Sequence, residues 1–385
     1  MTVKRLRIDV DYLKDFLFKL LATPSPTGYT DEIVRLCATE LDRLGLDLEL
    51  TRRGAIRACI PGKEKHPGRA VIAHLDTLGA QVKFLKQNGR LEVVPIGHWS
   101  ARFAEGARCT VFTTKGSMRG TILPLKASGH TYGDEIDTQP SAWDNLEIRI
   151  DCMTFSQPDL FNAGFAIGDF VAIDPQPEVE NDFIVSRHLD DKGGVAALFA
   201  AIKALREHDC KLPVDTYFLL SIAEEVGIGA STVLHGDIAS MISIDNGTQA
   251  PGQNSREFGV TIGMADQAGP FDYHLTQKLL RLCEDHDIRH QRDLFRYYRS
   301  DSASALEAGN DIRTALITFG VDASHGYERI HSHALRSVAE LVTVYAQSEV
   351  RIRRDVEELS GLKGFTRQPL DPSDAEPDGD IPTEY

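Results

Sequence analysis

Five apolar runs in this sequence each end on side chains that can bind a cation or move a proton. AVIA is followed by His74 and Asp76, and FIVSR by His188, Asp190 and Asp191. TYFLLSIA runs into Glu224 and Glu225, and MISI into Asp245. ALITF leads to a loop that carries His325, His331 and His333. In open α/β sheets ligands bind beyond the carboxyl ends of the strands. Five such ends delivering carboxylate or imidazole point to one shared centre.

The chemistry this composition suits is a pair of divalent cations. Two such ions about 3.5–4 Å apart repel each other, and a shared carboxylate offsets much of that repulsion. Histidines and carboxylates supply nitrogen and oxygen donors with no sulfur, a set that suits Zn or Co, with Mn also accommodated. His74 and Asp76 lie two apart on a strand end, so both side chains face the same way. His74 is expected on a cation, with Asp76 orienting its ring. In HLDDKGG one acid can bridge the cations, while the other caps the following helix. His188 fits a supporting role better than a ligand role. Two adjacent glutamates at the end of an apolar strand are costly without a compensating positive charge. One on a cation and one as general base toward water gives both a purpose. Gly227-Ile228-Gly229 is not a dinucleotide loop, because the third glycine is missing and the preceding acids would repel a pyrophosphate.

The elements that must position these groups read as α/β. Leu13, Phe16, Leu17, Leu20 and Leu21 have helical spacing, and Asp31–Leu44 is a second amphipathic helix. Strands are expected at Arg69–Asp76, Phe183–Arg187, Val214–Ile222, Met241–Ile244 and Ala315–Phe319. Val195, Leu198, Phe199, Ile202 and Leu205 form one helical stripe, and Leu335, Val338, Val342 and Tyr345 another. This alternation implies a mostly parallel sheet with helices on both faces. Between about 80 and 175 the texture changes to short apolar runs split by Gly, Asn, Pro and Asp, which predicts an inserted small β-barrel-like domain. Within it, VFTTKGSMRGTILPL reads as a hairpin turning near Lys115-Gly116-Ser117. The expected organisation is therefore residues 1–79 and 176–350 as one catalytic domain, 80–175 as the insert, and 351–385 as an acidic, disordered tail.

Bulk properties exclude several partners. The formal net charge of -15 makes nucleic acid a poor partner. Six scattered cysteines without a CxxC pair argue against a zinc ribbon and fit free thiols in a reducing cytoplasm. No run of about 18 apolar residues predicts a membrane span, and the first residues lack the pattern of a secretory signal.

At the same residues the chain resembles the M42 (glutamyl/deblocking, tetrahedral-assembly) aminopeptidases. AHLDTLG resembles the family's H-x-D-x-x-G, and HLDDKGG its A-x-D-D-R-x-G. SIAEEVGIGA resembles Q-E-E-V-G-x-x-G-A, ISIDNG the strand ending in a metal-binding Asp, and ERIHSHAL the segment R-Y-I-H-S. IGHWSARFAEGARCTVFTTKG, AWDNLEIRID and IGDFVAIDPQPE resemble the family's β domain and the return from it. The likeness covers about residues 5–350. It implies a two-metal, zinc-peptidase-like aminopeptidase acting on short peptides. His74, Asp190 and Asp245 would hold one cation, Asp190, Glu225 and His331 the other, and Glu224 would be the base. It also implies that the insert drives homo-oligomerisation, to a dodecameric shell.

Departures from the family pattern fall where substrate should bind. Lys192 stands where Arg is usual, RYYRSDSASALEAG replaces a Gly-Thr-Asp segment but keeps Asp301, and Ser-His-Gly-Tyr-Glu-Arg replaces a Pro-containing approach to His331. Arg256, Arg296 and Arg299 are candidates to meet an acidic side chain or a substrate carboxylate, with Asp301 beside them. These features also resemble a branch associated with synthesis of an N-acetylglutaminylglutamine amide osmolyte, which implies a small peptide-like substrate. Two other functions share such a ligand set: a dinuclear N-acyl deacylase or carboxypeptidase, and an assembly protein that keeps the scaffold without catalysis.

Overall fold

A computed structural model describes residues 3–350 together with Gly361, Leu362, Phe365 and Gln368. Except for Gln368, the acidic stretch 366–385 lies outside the described residues, as does most of the expected tail.

The main sheet has eight strands. In spatial order they are Leu48–Leu50, Ile56–Ile60, Leu212–Ser221, Gly62–His74, Ile238–Thr248, Arg313–Val321, Val260–Gly263 and His290–Asp293. The four central strands run parallel, and antiparallel pairing is confined to the flanks. Because the central strands share a direction, their carboxyl ends lie together. Ser221 pairs with His74, and Asp245 with Thr318.

Helix Leu189–Glu207 is buried along nearly its whole length, more than one apolar stripe requires. It packs against the helices Val10–Ala22 and Ser332–Gln347 as well as the sheet. Leu198, Phe199 and Leu205 join Leu13, Phe16 and Leu335 in one core. Each fully buried side chain of this size contributes about 1.5–3 kcal/mol. The helix thus fixes its amino-terminal residues, Asp190 and Asp191, against the strand ends.

The segment between residues 79 and 173 forms a closed six-stranded barrel with its own core, including Val82, Leu91, Cys109, Val111, Ile122 and Ile148. The expected hairpin is present as Arg108–Thr113 paired with Gly116–Pro124, turning one residue earlier than its sequence suggests. Phe183–Ser186 departs from expectation in another way. It pairs with Glu178–Glu180 and Glu328–His331 in a separate three-stranded sheet, not in the main one. All six cysteines are free. Among the described residues no helix is long and apolar enough to cross a membrane.

Candidate metal centre

His74 ends the central strand, and its ring is held by its own chain. Nδ1 lies 2.9 Å from the Asp76 carbonyl oxygen, which leaves Nε2 pointing at Asp190 Oδ1, 3.2 Å away. The Asp76 carboxylate, expected to orient that ring, stands 3.6 Å from Nδ1 and is committed elsewhere. It accepts from the backbone N–H groups of Glu224 and Glu225, at 3.1 and 3.3 Å, and from Thr27 Oγ1 at 2.7 Å. Asp76 thus fixes the turn that presents both glutamates, and its main chain fixes the imidazole.

Asp190 is the hub. One carboxylate oxygen faces His74, and the other lies 3.1 Å from His325 Nε2 and accepts from Asn246 Nδ2 at 2.5 Å. Asp191 points the other way. Its Oδ2 accepts from the His74 backbone N–H at 3.1 Å, while its buried Oδ1 meets no hydrogen-bond partner. Asp191 is therefore tied to the strand rather than capping the helix. The glycine after Lys192-Gly193 follows from this arrangement, since a Cβ on Gly194 would lie 2.1 Å from Asp191 Oδ1. Lys192 is buried and donates to the Thr23 carbonyl at 2.7 Å, away from the cluster. His188 likewise turns to the Ile173 carbonyl, 3.0 Å away.

Two sets of three donors result, the ligand atoms within each lying inside 4.8 Å of one another: His74, Glu224 and Asp245, and Asp190, Glu225 and His325. Asp190 touches a histidine of each set. Glu225 is the more enclosed glutamate, its side chain 4% exposed against 14% for Glu224.

His331 is not brought into this cluster, which corrects the expectation drawn from the R-Y-I-H-S likeness. The strand Glu328–His331 pairs antiparallel with Phe183–Ser186, so Glu328 lies opposite Ser186 and His331 opposite Phe183. The centre is at the Glu328 end, and three residues of extended chain is about 10 Å. The His331 ring packs edge-on against Phe183 and tilts over Phe258, and its Nδ1 accepts from the His333 backbone N–H at the start of the last helix. His325 stands in the centre instead. Its Nδ1 lies 2.9 Å from the His98 carbonyl, and its backbone N–H donates to Glu328 Oε1 at 2.9 Å. Buried Glu328 also accepts from the backbone N–H groups of Leu189 and Asp190, so it couples the His325 loop to the Asp190 segment.

Electrostatically the site is overloaded with negative charge. Burial foremost, then the charge of Asp190, pushes Glu225 up to about 8. Burial raises Glu224 and Asp245 well above the usual carboxylate range, with neighbouring carboxylates adding to the rise. Asp190 goes the other way. Burial opposes its ionisation, but hydrogen bonds to His325 and His74 hold it below its ordinary value. Burial likewise works against a charged His325, yet Asp190 and Glu225 push it up to about 10. A cation would offset this charge. Buried carboxylates in such number, with orphaned oxygens and only imidazoles as counter-charge in the ion pairs described, fit divalent ions.

The centre opens into a cleft of about 770 Å³ whose lining includes Glu224, Asp245, Gln253, Tyr298, Arg299 and Asp301. Asp301 opens the helix Asp301–Glu307. Its Oδ2 accepts from Ser221 Oγ at 2.6 Å, its buried Oδ1 is unpartnered, and burial pushes its carboxyl up to about 6. Gly229 makes room for it, since a Cβ there would lie 2.0 Å from Asp301 Oδ1. Arg299 sits on the rim but is engaged by Glu307 at 2.6 Å, and Arg296 lies over the Tyr297 ring. Exposed Arg256 is not among the residues lining the cleft. Sequence reasoning missed Tyr298, Asn246 and Glu328. Asn246 directly follows Asp245, and Glu328 follows His325 by three residues, so adjacency to a candidate ligand was the available signal.

Residues 54–341 match the model of the M42 glutamyl aminopeptidase family. The chain is 37% identical over 336 residues to YhfE of Bacillus subtilis (strain 168), which carries an aminopeptidase designation; the match spans 87% of this chain and 97% of that one. Its fold is similar to aminopeptidase APDkam598 from the archaeon Desulfurococcus kamchatkensis, with TM-score 0.81 and 21% identity over 92% of this chain and 99% of the other. It is also similar to the Pyrococcus horikoshii TET1 peptidase, with TM-score 0.77 and 23% identity over 87% of this chain and 99% of that chain.

Proposed function

The chain belongs to the M42 family and is a peptide-bond hydrolase, and from that premise we propose that it is a two-metal aminopeptidase that removes N-terminal residues from short peptides. The observation that carries this reading is the pair of donor sets joined through Asp190. His74, Asp190 and Asp245 would hold one cation, and Asp190, Glu225 and His325 the other, with Zn or Co suited to the donors and Mn accommodated. Bound there, the cations supply Lewis acidity toward the scissile carbonyl and acidify water.

The chain's own residues do the rest. Glu224, the glutamate more open to the cleft, takes the proton of the attacking water and delivers it to the leaving amine. Asp76 holds the Glu224-Glu225 turn through two backbone amides, which fixes the main chain that carries the base. His98 and Glu328 fix His325, and Asn246 fixes Asp190.

The Pyrococcus horikoshii relative assembles into a tetrahedron or an octahedral shell. We propose a homo-oligomer here too, with residues 80–175 as the assembling unit of a zinc-peptidase-like catalytic domain. Met153, Phe155, Phe161 and Ile167 support this, being 69–81% exposed on that segment.

The test is a panel of dipeptides with free, acetylated or amidated ends, offered to protein loaded with zinc or cobalt. Release of the first residue from free-amine substrates only is expected. Cleavage confined to acetylated substrates would instead mark a deacylase or carboxypeptidase. Full metal loading with no cleavage of any substrate would mark a scaffold without catalysis.

A further inference from the structure

Tyr298 lies in the loop between the strand His290–Asp293 and the helix Asp301–Glu307, within the segment that departs from the family pattern. The loop is pinned on both sides. Before it, Asp293 Oδ2 accepts from the backbone N–H groups of Asn254 and Ser255 and from Ser255 Oγ. After it, Ser300 donates through both N–H and Oγ to Asp266 Oδ2. The Tyr298 carbonyl accepts from Gln267 N–H at 2.9 Å, and its ring packs 5.1 Å from Phe295. The ring is thus held by its backbone and its packing, not by its hydroxyl.

That hydroxyl is buried and meets no hydrogen-bond partner of good geometry. It faces Asp245, with Asp190 and Glu224 the next carboxylates to act on it. Asp245 already has bonds of its own, with Oδ1 accepting from Asn246 N–H at 2.6 Å and Asn246 Nδ2 at 3.3 Å. Its contact with Asp245 falls short of a well-directed hydrogen bond. A buried hydroxyl so poorly paired costs up to about 1–3 kcal/mol, so a donor on a rigid loop that also lines the cleft is suited to a better-placed partner arriving from there.

Resting on the peptidase reading above, we propose that the Tyr298 hydroxyl is a catalytic donor that hydrogen-bonds the scissile carbonyl oxygen as it becomes an oxyanion. The phenol keeps its proton throughout. As the water oxygen bonds to the carbonyl carbon, the C=O π pair moves onto the carbonyl oxygen, and the hydrogen bond strengthens with that charge. When the C–N bond breaks, the pair returns and the bond weakens again. Preorganised donors of this kind act most strongly in sites closed to water.

The experiment is Tyr298→Phe, which deletes only the oxygen and keeps the packing on Phe295. A kcat loss of about 10²-fold with KM changed by less than about threefold is expected, the scale of one oxyanion donor. The readout beyond turnover is calorimetric affinity for a phosphinic dipeptide, whose tetrahedral anionic centre mimics the intermediate, compared with the free amino acid product. The phosphinate should weaken by the same factor as kcat/KM, with product affinity and metal content unchanged. Unchanged kcat overturns the proposal. So does a fall in bound metal, which would make the hydroxyl a prop for Asp245, and so does equal weakening of phosphinate and product. If the unmutated protein cleaves no peptide, the peptidase reading itself falls; if it cleaves and the Phe variant matches it, only this role falls.

Discussion

Stripping cations from this protein should make it lose stability as pH rises, and restoring them should remove most of that loss. The reason is the buried acid cluster. Burial foremost, with neighbouring carboxylates, pushes Glu225 up to about 8 from 4.5 and Glu328 to about 7 from 4.5. Between the unfolded and folded values the native state binds more protons than the unfolded chain, so stability falls as pH rises. His325, raised to about 10 from 6.5, acts in the same direction, since its contribution is full below the unfolded value and is lost as pH rises toward the folded one. Asp190, held low, contributes throughout this window and is lost only in strong acid. His188 and Lys192, depressed by burial to about 3 and about 7, have the opposite sign, but neither belongs to a donor set. Their effect is common to the stripped and loaded protein, so the difference between the two isolates the cluster.

Glu225 alone sets the scale, because the carboxylates share one repulsion. From about pH 5 to about pH 8 its loss is on the order of 4 kcal/mol, at ~1.4 kcal/mol per pH unit. Unfolding entropy near 2.1 cal/mol/K per residue gives roughly 0.8 kcal/mol/K for 385 residues. The gap in Tm between zinc-loaded and chelated protein should therefore widen by roughly 5 °C over that interval. Differential scanning fluorimetry at matched ionic strength measures it. A gap that stays constant, or narrows with rising pH, refutes the electrostatic argument for a cation site.

Further outcomes follow from particular contacts. His325→Ala should lower bound metal per chain by atomic absorption, whereas His331→Ala should leave it unchanged, because His331 packs on Phe183 and Phe258. Glu224→Gln should cut kcat by about 10²–10⁴-fold with metal content retained; near-normal turnover would move the base elsewhere. Asp76→Asn replaces an acceptor oxygen of the Glu224-Glu225 turn with a donor and should lower kcat more than KM, by about 10–100-fold, as supports of metal ligands do. Phe161→Glu, on the exposed apolar face of residues 80–175, should shift the light-scattering mass toward smaller species while metal content persists.

Much of the site can be read from the chain because of how strands end. A buried parallel strand is a run of apolar residues, and the first polar groups after it must lie at the sheet's edge. That rule reaches His74, Glu224, Glu225 and Asp245, and it leaves the loop after Arg313–Val321 with three histidines to choose from. It reaches Asp190 only by taking Phe183–Arg187 for such a strand, whereas that segment pairs antiparallel in a separate sheet and Asp190 is set at the start of the helix Leu189–Glu207. The local likeness of ERIHSHAL to a family segment favours His331. Tertiary pairing decides otherwise, since the register with Phe183–Ser186 carries His331 to the far end of its strand and turns His325 toward Asp190.

The same limit applies to atoms. Composition and spacing determine that Asp76 stands two residues after His74, but only the packed structure decides that its carbonyl holds the imidazole while its carboxylate holds two amides. Tyr298 carries no signal in sequence at all. A tyrosine is ordinary in a loop, and what sets this one apart is a buried hydroxyl without a well-directed hydrogen bond, facing an aspartate more than fifty residues away in the chain. Apolar periodicity fixes which residues leave water, because that depends on near neighbours. Which donors meet depends on the pairing of segments far apart in sequence, and that information exists only once the chain has folded.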